Sequence, residues 1–283
     1  PRHTSFTTYS TSSARASTQS QASVRALVPP LSRAAHKGSG GRIGVVGGSL
    51  EYTGAPYYAA AATLQVGADL AWVFCADSAA GPIKAYSPEL VVIPCYPAAK
   101  PDSHAAGDAF AKTAGPWVSR LHSVVVGPGL GRGHAAQFGA ATLLEDAKIP
   151  AVVDADGMVL VCERPEIVRG RRDVVLTPNA PEFSRLAKAV GLATGGDRFE
   201  DVPALARALD GVTIVSKGAV DVISDGDSTM AVDEPGCPKR CGGLGDLLAG
   251  SLAVLWAHAH RGEFGVPDGH LWAAYGACVA TKR

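Results

Sequence analysis

A carboxylate at the end of a glycine-rich turn is the feature of this sequence that most suggests chemistry. In the stretch PKRCGGLGDLLAGSL, Asp246 follows Gly242, Gly243 and Gly245, and apolar residues at helical spacing come after it. The start of a helix offers unpaired N–H groups and partial positive charge, and glycines let a phosphate approach the backbone closely. A carboxylate beside such an anion site can accept a proton from a hydroxyl that attacks phosphorus. With Arg240 nearby, the pattern favours phosphoryl transfer over a simple helix-capping role for Asp246.

Two common nucleotide-binding patterns are absent from the sequence. The turn Gly47-Gly48-Ser49, after the first strand-like run, lacks the G-x-G-x-x-G spacing of a dinucleotide-binding fold. The P-loop pattern is missing as well, because in VSKGAVD the lysine precedes the glycine. Any nucleotide is therefore expected to bind without a P-loop.

Short β-branched runs that end in polar or turn residues alternate with helix-like segments along the chain. The strand-like runs are 42–48, 70–76, 90–96, 123–129, 150–157 and 173–179, and residues 212–226 read as a hairpin-like pair. This alternation predicts an α/β fold, with helices on both faces of a mostly parallel sheet. Ligands bind beyond the carboxyl ends of such strands. The candidate site wall is therefore Gly47 to Ser49, Gly127 to Gly131, Asp154, Asp156 and Thr177 to Glu182.

Composition excludes several classes of protein. The 283 residues contain 26 Lys and Arg against 26 Asp and Glu, and this neutral balance argues against a nucleic-acid binder. No apolar run reaches the roughly 20 residues that a membrane span needs. The six cysteines are scattered, apart from Cys237 and Cys241, which favours a reducing compartment and gives no set with metal-ligand spacing.

The first 37 residues differ from the rest of the chain. No acidic residue occurs before Glu51, and the opening is rich in Ser, Thr, Ala and Arg. This composition predicts a disordered tail over residues 1–37 that resembles a transit peptide, ahead of a domain over 38–283. We expect a mitochondrial or chloroplast location, with the cytoplasm as an alternative. The chain is also expected to be a fragment at both ends, with the domain truncated at its C-terminus.

Six segments in order carry a resemblance to a known family. They are GGSLEYTGAPYYAA, VVVGPGLGR, VVDADG, LTPNAPEFSRL, VSKGAVDVI and KRCGGLGDLLAGSL. Together they resemble the ATP-dependent NAD(P)H-hydrate dehydratases, repair enzymes of the ribokinase-like fold, over about residues 38 to 282. The sequence departs at Leu244, where a polar residue is expected, and the family usually continues beyond Arg283.

The resemblance implies a fold and a reaction. The fold is a ribokinase-like three-layer α/β/α domain with a mostly parallel central sheet. The reaction is the ATP-dependent dehydration of the S form of hydrated NADH or NADPH (NADHX, NADPHX), with Mg²⁺ as cofactor and ATP as co-substrate. ATP phosphorylates the C6 hydroxyl, and phosphate then leaves. The resemblance also implies functional pairing with an NAD(P)H-hydrate epimerase, allows a homo-oligomer, and leaves the choice between NADHX and NADPHX open.

The resemblance further assigns roles to residues, with Asp246 as the catalytic base. The hydrated dinucleotide is expected to contact Gly129, Asn179, Ala180, Pro181, Glu182, Phe183, Ser184, Arg185 and Asp246. ATP is expected to contact Lys217, Gly218, Ala219, Val220, Asp221, Gly242, Gly243, Leu244, Gly245, Asp246, Leu247, Leu248, Ala249, Gly250 and Ser251. Tyr52, Thr53 and Gly54 form a further candidate substrate loop, and no residue is assigned as a metal ligand.

Simpler interpretations stand beside these roles. Lys217 could be a solvated turn residue, Glu182 a first-turn acid and Asn179 a helix cap. Asp154 and Asp156 could hold Mg²⁺ through water or could form turns. His258 and His260 are expected at the surface.

Two alternative functions also stay open. One is a small-molecule kinase of the same fold, such as a hydroxymethylpyrimidine kinase. The other is a nucleotide-binding regulatory protein without turnover.

Overall fold

The computed structural model describes residues 18–96, 104–239, 241–262 and 265–283, and this part of the chain forms one nine-stranded sheet. The strands are β1 Arg42–Val46, β2 Leu70–Ala76, β3 Leu90–Tyr96, β4 Ser123–Val126, β5 Ala151–Val153, β6 Val174–Leu176, β7 Thr213–Ser216, β8 Asp221–Ser224 and β9 Thr229–Val232. Their order is β3-β2-β1-β4-β5-β6-β7-β8-β9. Every neighbouring pair from β3 to β7 is parallel, and β8 and β9 add antiparallel strands at one edge.

Helices cover both faces of this sheet. They are α1 Thr18–Ala26, α2 Gly54–Val66, α3 Asp77–Tyr86, α4 His104–Val118, α5 His134–Ala147, α6 Gly157–Glu163, α7 Ala180–Ala189, α8 Arg198–Ala208, α9 Leu244–Arg261 and α10 Gly269–Lys282. On one face α2 packs against α9, α9 against α10, and α10 against α1. On the other, α4 packs against α5, α5 against α6, and α6 against α7. The prediction of a three-layer α/β/α domain with a mostly parallel sheet is confirmed.

The central strands owe their burial to uninterrupted apolar runs. All four residues of β4, SVVV, are buried, and so are all three of β5 and of β6. A parallel strand covered on both faces needs apolar side chains on both, which explains runs of valine in place of an alternating pattern. Each strand-like run in the sequence forms a strand, and residues 212–226 contain the predicted antiparallel pair β7–β8.

The N-terminal segment differs from the expected disordered tail over residues 18–27, whereas residues 28–37 contain no helix or strand. Residues 18–26 form α1, which packs against α10, and the side chain of Leu27 is only 1% exposed. A methyl group at Gly269 would lie 3.3 Å from Cδ2 of Leu27. The Ser-rich average composition conceals the apolar side chains of Val24 and Leu27, which lie beside Gly276 and Gly269 of α10. Residues 1–17 lie outside the described part.

The segment that enters β1 is fixed to the amino ends of the strands. The carboxylate of Asp69 accepts hydrogen bonds from the N–H groups of Gly38 and Gly40, at 2.7 and 2.9 Å. His258 Nε2 lies 2.8 Å from the carbonyl oxygen of Gly40. His258 is therefore buried, contrary to the prediction, because residues 38–40 cover the end of α9, whereas His260 is exposed as predicted. A cavity of about 550 Å³ lies at this end, away from the carboxyl ends of the strands.

No helix within the described ranges is both long enough and apolar enough to cross a bilayer.

Candidate functional site

The polar residues predicted as a site wall meet beyond the carboxyl ends of β1, β4, β5, β6 and β7. Close backbone packing brings these strand ends together. A Cβ at Gly127 would lie only 1.8 Å from the carbonyl oxygen of Asp154, and Gly127 has a φ of +127°, which favours glycine. Asp154 follows β5 directly, as Lys217 follows β7. The loops after β4 and β5 are therefore in direct contact.

The glycine turn leads into α9 as the sequence predicts. Gly243 is the residue before the helix and has a left-handed conformation, with φ 94° and ψ −14°. A Cβ there would lie 3.0 Å from the ring of Tyr58 on α2, so both conformation and contact require glycine. Asp246 lies in the first turn of α9. The first N–H groups of a helix have no partner within the helix, so this turn presents amides that can hold an anion. Arg240 lies outside the described residues.

A buried ion pair lies below this turn. Nζ of Lys217 is 2.6 Å from Oδ1 of Asp154, which also accepts a hydrogen bond from the hydroxyl of Thr177 at 2.7 Å. Burial alone would lower the pKa of Lys217. The negative charge of Asp154, with smaller contributions from Glu182 and Asp246, has the opposite and larger effect, so the pKa is raised overall. The ammonium therefore stays charged. Lys217 is thus largely buried and paired with Asp154, and it is not a solvated turn residue.

Gly245 connects the turn to the ion pair. A methyl group at this position would lie 3.5 Å from Nζ of Lys217 and 3.6 Å from Oδ2 of Asp154. The absence of a side chain leaves this space open beside the first turn of α9. A phosphate there would meet helix amides on one side and an ammonium on another.

Asp246 has the electrostatic properties of a base that works near neutral pH. Burial raises the pKa of its carboxyl to about 7; the charge of Asp154 also raises it, and Lys217 opposes the shift. A general base is most effective when its pKa lies near the working pH. The geometry therefore combines a proton acceptor, an anion site and a cation in one place.

A cavity of about 430 Å³ opens beside Asp246. Its walls come from the loops after β1, β4 and β5 and from the first turns of α2 and α9. They consist of Glu51, Tyr52, Ala55, Gly129, Gly131, Arg132, Ala155, Asp156 and Asp246. Of the predicted substrate residues, Gly129, Tyr52 and Asp246 line it, and Tyr52 packs directly on Gly129. The sequence analysis missed Glu51, Ala55, Arg132 and Ala155, although each adjoins a loop predicted to form the wall.

Asp156 contacts the glycine-rich loop after β4. Its Oδ2 accepts a hydrogen bond from the N–H of Gly131 at 3.0 Å, and Gln137 Nε2 donates to the carbonyl oxygens of both Gly131 and Asp156. Asp156 therefore shapes the glycine-rich loop after β4. Asp154 Oδ1 is occupied by Lys217 and Thr177, which leaves Oδ2 to face the open space.

The segment 179–185 begins α7 with a reciprocal cap. Asn179 Oδ1 accepts from the N–H of Glu182 at 3.0 Å, and Glu182 Oε2 accepts from the N–H of Asn179 at 2.9 Å. Asn179 is thus the helix cap that the simpler interpretation describes. Phe183 is buried, whereas Ala180, Pro181, Ser184 and Arg185 are exposed. None of this segment is among the described residues that line the 430 Å³ cavity.

The residues predicted to bind ATP separate into two groups. Gly243 to Asp246 lie at the start of α9, where Gly245 is close to Nζ of Lys217. Leu248 to Ser251 are buried instead, and a Cβ at Gly250 would lie 2.0 Å from the carbonyl oxygen of Ala59, so this part of α9 packs against α2. The Asp221 carboxylate accepts from the N–H of Gly218 at 2.8 Å and shapes the turn after β7.

The predicted loop at 52–54 lies at the edge of the cavity. Oγ1 of Thr53 is 2.7 Å from the hydroxyl of Tyr86, and α2 begins at Gly54. The Tyr86 ring packs edge-on against Tyr57, with ring centroids 5.2 Å apart. This contact fixes the loop relative to α3.

The fold is that of the ribokinase-like class of α/β proteins, and its candidate site combines a glycine-rich helix start with the carboxylate of Asp246. A hypothetical protein from Streptococcus mutans has a related structure, with a TM-score of 0.73 and 22% identity, covering 92% of this chain and 87% of that one. The ADP/ATP-dependent NAD(P)H-hydrate dehydratase from Bacillus subtilis, co-crystallised with ATP/Mg²⁺, gives a TM-score of 0.66 at 20% identity, with 92% and 84% covered. These likenesses establish the fold.

The sequence comparisons establish the family. The NAD(P)H-hydrate dehydratase family model matches residues 43–282. The chain is 50% identical to the ATP-dependent (S)-NAD(P)H-hydrate dehydratase of Bos taurus over 268 residues, covering 92% of this chain and 79% of that protein. It is 48% identical to the Homo sapiens protein of the same name, with 92% and 75% covered. This chain belongs to the NAD(P)H-hydrate dehydratase family.

Proposed function

We propose that this chain uses ATP to dehydrate the S form of hydrated NADH and NADPH, which restores the reduced cofactors. The observation that carries the proposal is the position of Asp246. Its carboxylate, with a pKa raised to about 7, lies in the first turn of α9 beside the space that Gly245 leaves open next to Lys217. The identity of the substrate is inferred from membership of the family.

The reaction divides into two steps that the site can serve. Asp246 takes the proton of the C6 hydroxyl as that oxygen attacks the terminal phosphorus of ATP, and ADP leaves with the electrons of the broken P–O bond. Inorganic phosphate then departs with the C6–O electrons, assisted by the ring nitrogen lone pair, and loss of a proton from C5 restores the double bond. Phosphorylation helps because phosphate is a better leaving group than hydroxide.

The chain holds the transferring phosphoryl group through charge and backbone amides. The first turn of α9 faces the developing negative charge, and the ammonium of Lys217 approaches from the end of β7. The 430 Å³ cavity beside Asp246 is the proposed place of the hydrated ring, because its walls include Tyr52 and Gly129. The turn after β7, with Lys217, is the proposed nucleotide side.

Mg²⁺ is a further part of the proposal. The described residues contain no group of three or more His, Cys, Asp or Glu side chains that could enclose a metal. Mg²⁺ is commonly held by one or two carboxylates, waters and substrate phosphates, and Oδ2 of Asp154 faces the phosphate space. These residues fit an ion that arrives with ATP and reaches Asp154 directly or through water. Such an ion neutralises phosphate charge.

The N-terminal composition supports import into a mitochondrion or a chloroplast. Because Leu27 and α1 pack against α10, we place the removable part before Thr18. Fusing residues 1–17 and residues 1–37 separately to a fluorescent protein tests this, and cytoplasmic fluorescence from both would contradict it. Cooperation with an epimerase that supplies the S form, and self-association, also belong to the proposal.

One experiment tests the central activity. The protein is mixed with hydrated NADPH, ATP and Mg²⁺, and restored dihydronicotinamide absorbance is followed together with ADP release. We expect one ADP for each NADPH recovered. ADP with a stable phosphorylated product would indicate a kinase, and ATP binding without ADP would indicate a regulatory protein.

A further inference from the structure

Arg198 bridges the two ends of the β7–β8 turn, residues 217–220. It is the first residue of α8, and its Nη1 donates to the carbonyl oxygen of Val220 at 2.8 Å. Its Nη2 donates to the Ser216 hydroxyl at 3.0 Å and to the Ser216 carbonyl oxygen at 2.5 Å. One planar guanidinium therefore fixes the residue before the turn and the last residue within it.

The guanidinium lies directly against the turn. A Cβ at Gly218 would be 2.5 Å from Nη1 of Arg198, so the two groups are in contact without an intervening side chain. Charged hydrogen bonds to buried carbonyl groups are stronger than neutral ones. Arg198 is therefore suited to hold the turn in one conformation.

The opposite side of the turn is held by α10. Nζ of Lys282 donates to the carbonyl oxygens of Ala219 at 2.6 Å and Gly218 at 3.2 Å, and it pairs with Asp221 at 3.5 Å. The N–H of Lys217 donates to the Pro178 carbonyl oxygen at 2.9 Å. The backbone on either side of the Lys217 side chain is thus fixed from three directions.

We propose that Arg198 is a positioning residue for the nucleotide, acting through the turn to keep the Lys217 ammonium beside Asp154 and the phosphate space. The proposal rests on the assignment of Lys217 to the nucleotide side. A lysine side chain is long and flexible, so its ammonium keeps a fixed place only if its backbone does. A displacement of about 1 Å in a positioned group can cost about a hundredfold in rate.

The test compares Arg198→Gln and Arg198→Lys with a matched control on the same helix. Arg207 also lies on α8, and its Nη1 donates to the Gly226 carbonyl oxygen at 2.7 Å, at the other end of β8. Arg207→Gln therefore removes a similar bond away from the site. For Arg198→Gln we expect the calorimetric Kd for ATP to rise by about tenfold, the usual cost of a charged hydrogen bond. The KM for the hydrate should stay within about twofold of the native value, as it should for Arg207→Gln.

Three further measurements separate positioning from a general loss of structure. Arg198→Lys should keep part of the ATP affinity, because it retains a cation that can donate hydrogen bonds but lacks the planar fork of the guanidinium. Lys217 lowers the pKa of Asp246, so loosening the ammonium should move the acid limb of kcat to higher pH in Arg198→Gln. Melting temperatures of both glutamine variants show whether they remain folded.

The proposal is overturned if Arg198→Gln matches Arg207→Gln in ATP affinity, or if it raises the hydrate KM as much as the ATP Kd. If Arg198→Gln does not fold, Arg198→Lys is judged by the same two criteria. ATP affinity is measured without turnover, so a native protein that binds ATP but does not dehydrate contradicts the proposed function alone.

Discussion

Nζ of Lys217 lies 2.6 Å from Oδ1 of Asp154, although 63 residues separate them along the chain. The pair joins the ends of β5 and β7 beneath the first turn of α9. A methyl group at Gly245 would contact both partners, so the pair forms one side of the space proposed for the phosphate. Asp154 and Lys217 also act in opposite directions on the pKa of Asp246.

Replacing Asp246 by Asn should remove the base and keep the shape of the turn. We expect single-turnover dehydration to fall by about 10² to 10⁴, the range typical of positioned general-base catalysis. ATP affinity should remain within a few fold. Near-native turnover in this variant would assign Asp246 to a structural role.

The same substitution should raise stability at pH 8. The pKa of Asp246 is raised in the folded protein to about 7, against about 3.9 in an unfolded chain, so the folded state binds more protons between these values. Stability therefore falls as pH rises through that interval, and above pH 7 the charged carboxylate destabilises the fold. In urea unfolding at pH 4 and pH 8, Asp246→Asn should have a higher free energy of unfolding than the native protein only at pH 8.

The acid limb of the pH–rate profile should move in opposite directions in two variants. Native kcat should decline as pH falls below about 7, because Asp246 becomes protonated. Asp154→Asn removes a charge that raises the pKa of Asp246, so its limb should move to lower pH. Lys217→Gln removes a charge that lowers it, so its limb should move to higher pH. Shifts in the same direction would show that the profile does not report on Asp246.

Lys217→Ala should raise the KM for ATP more than the KM for the hydrated dinucleotide. The ammonium faces the phosphate space from the end of β7, whereas the 430 Å³ cavity has walls from β1, β4 and β5 loops. Steady-state KM values for each substrate, at saturating levels of the other, make the comparison. A larger rise in the KM for the hydrate would instead assign Lys217 to the binding of the hydrated dinucleotide.

Gly245→Ala should give a protein that is more stable and less active. The new methyl group would make ordinary contacts at 3.5 and 3.6 Å, and alanine favours helix by about 1 kcal/mol over glycine. It would also fill the space proposed for the phosphate. Urea unfolding and ATP affinity give the two readouts, and unchanged affinity would exclude this space as the phosphate site.

Leu27→Ala should destabilise the fold by about 2–5 kcal/mol, the usual cost of truncating a buried leucine. Leu27 is 1% exposed, whereas Leu31, four residues later, is fully exposed. Leu31→Ala is therefore the matched control and should have no measurable effect. Equal free energies of unfolding for both variants would show that α1 and Leu27 do not belong to the domain.

The sequence predicts those parts of the fold that depend on local pattern. Valine runs mark β4 to β6 because a strand covered on both faces needs apolar residues throughout. The glycine turn and Asp246 are recognisable because a helix start has a local signature. The burial of Leu27 and His258 differs from the expectation because the groups that cover them, Gly269 and Gly40, come from distant parts of the chain.

The contacts that complete the site are long-range and have no such signature. The partner of Lys217 lies two strands away in the sheet, and Arg198 and Lys282 reach the β7–β8 turn from separate helices. A basic residue in an amphipathic helix ordinarily indicates a solvated face. Only the folded chain shows that these two cations bind carbonyl groups of the turn.

The bond from Lys282 to the β7–β8 turn bears on how the protein is made. A ribosome delivers the chain from its amino end, so Lys217, the glycine turn and Asp246 all emerge before Lys282. Leu27 is synthesised early, but its side chain packs beside Gly269 and can be buried there only after α10 has been synthesised. The turn that carries Lys217 can therefore gain its hydrogen bonds from Lys282 only after α10 has left the ribosome.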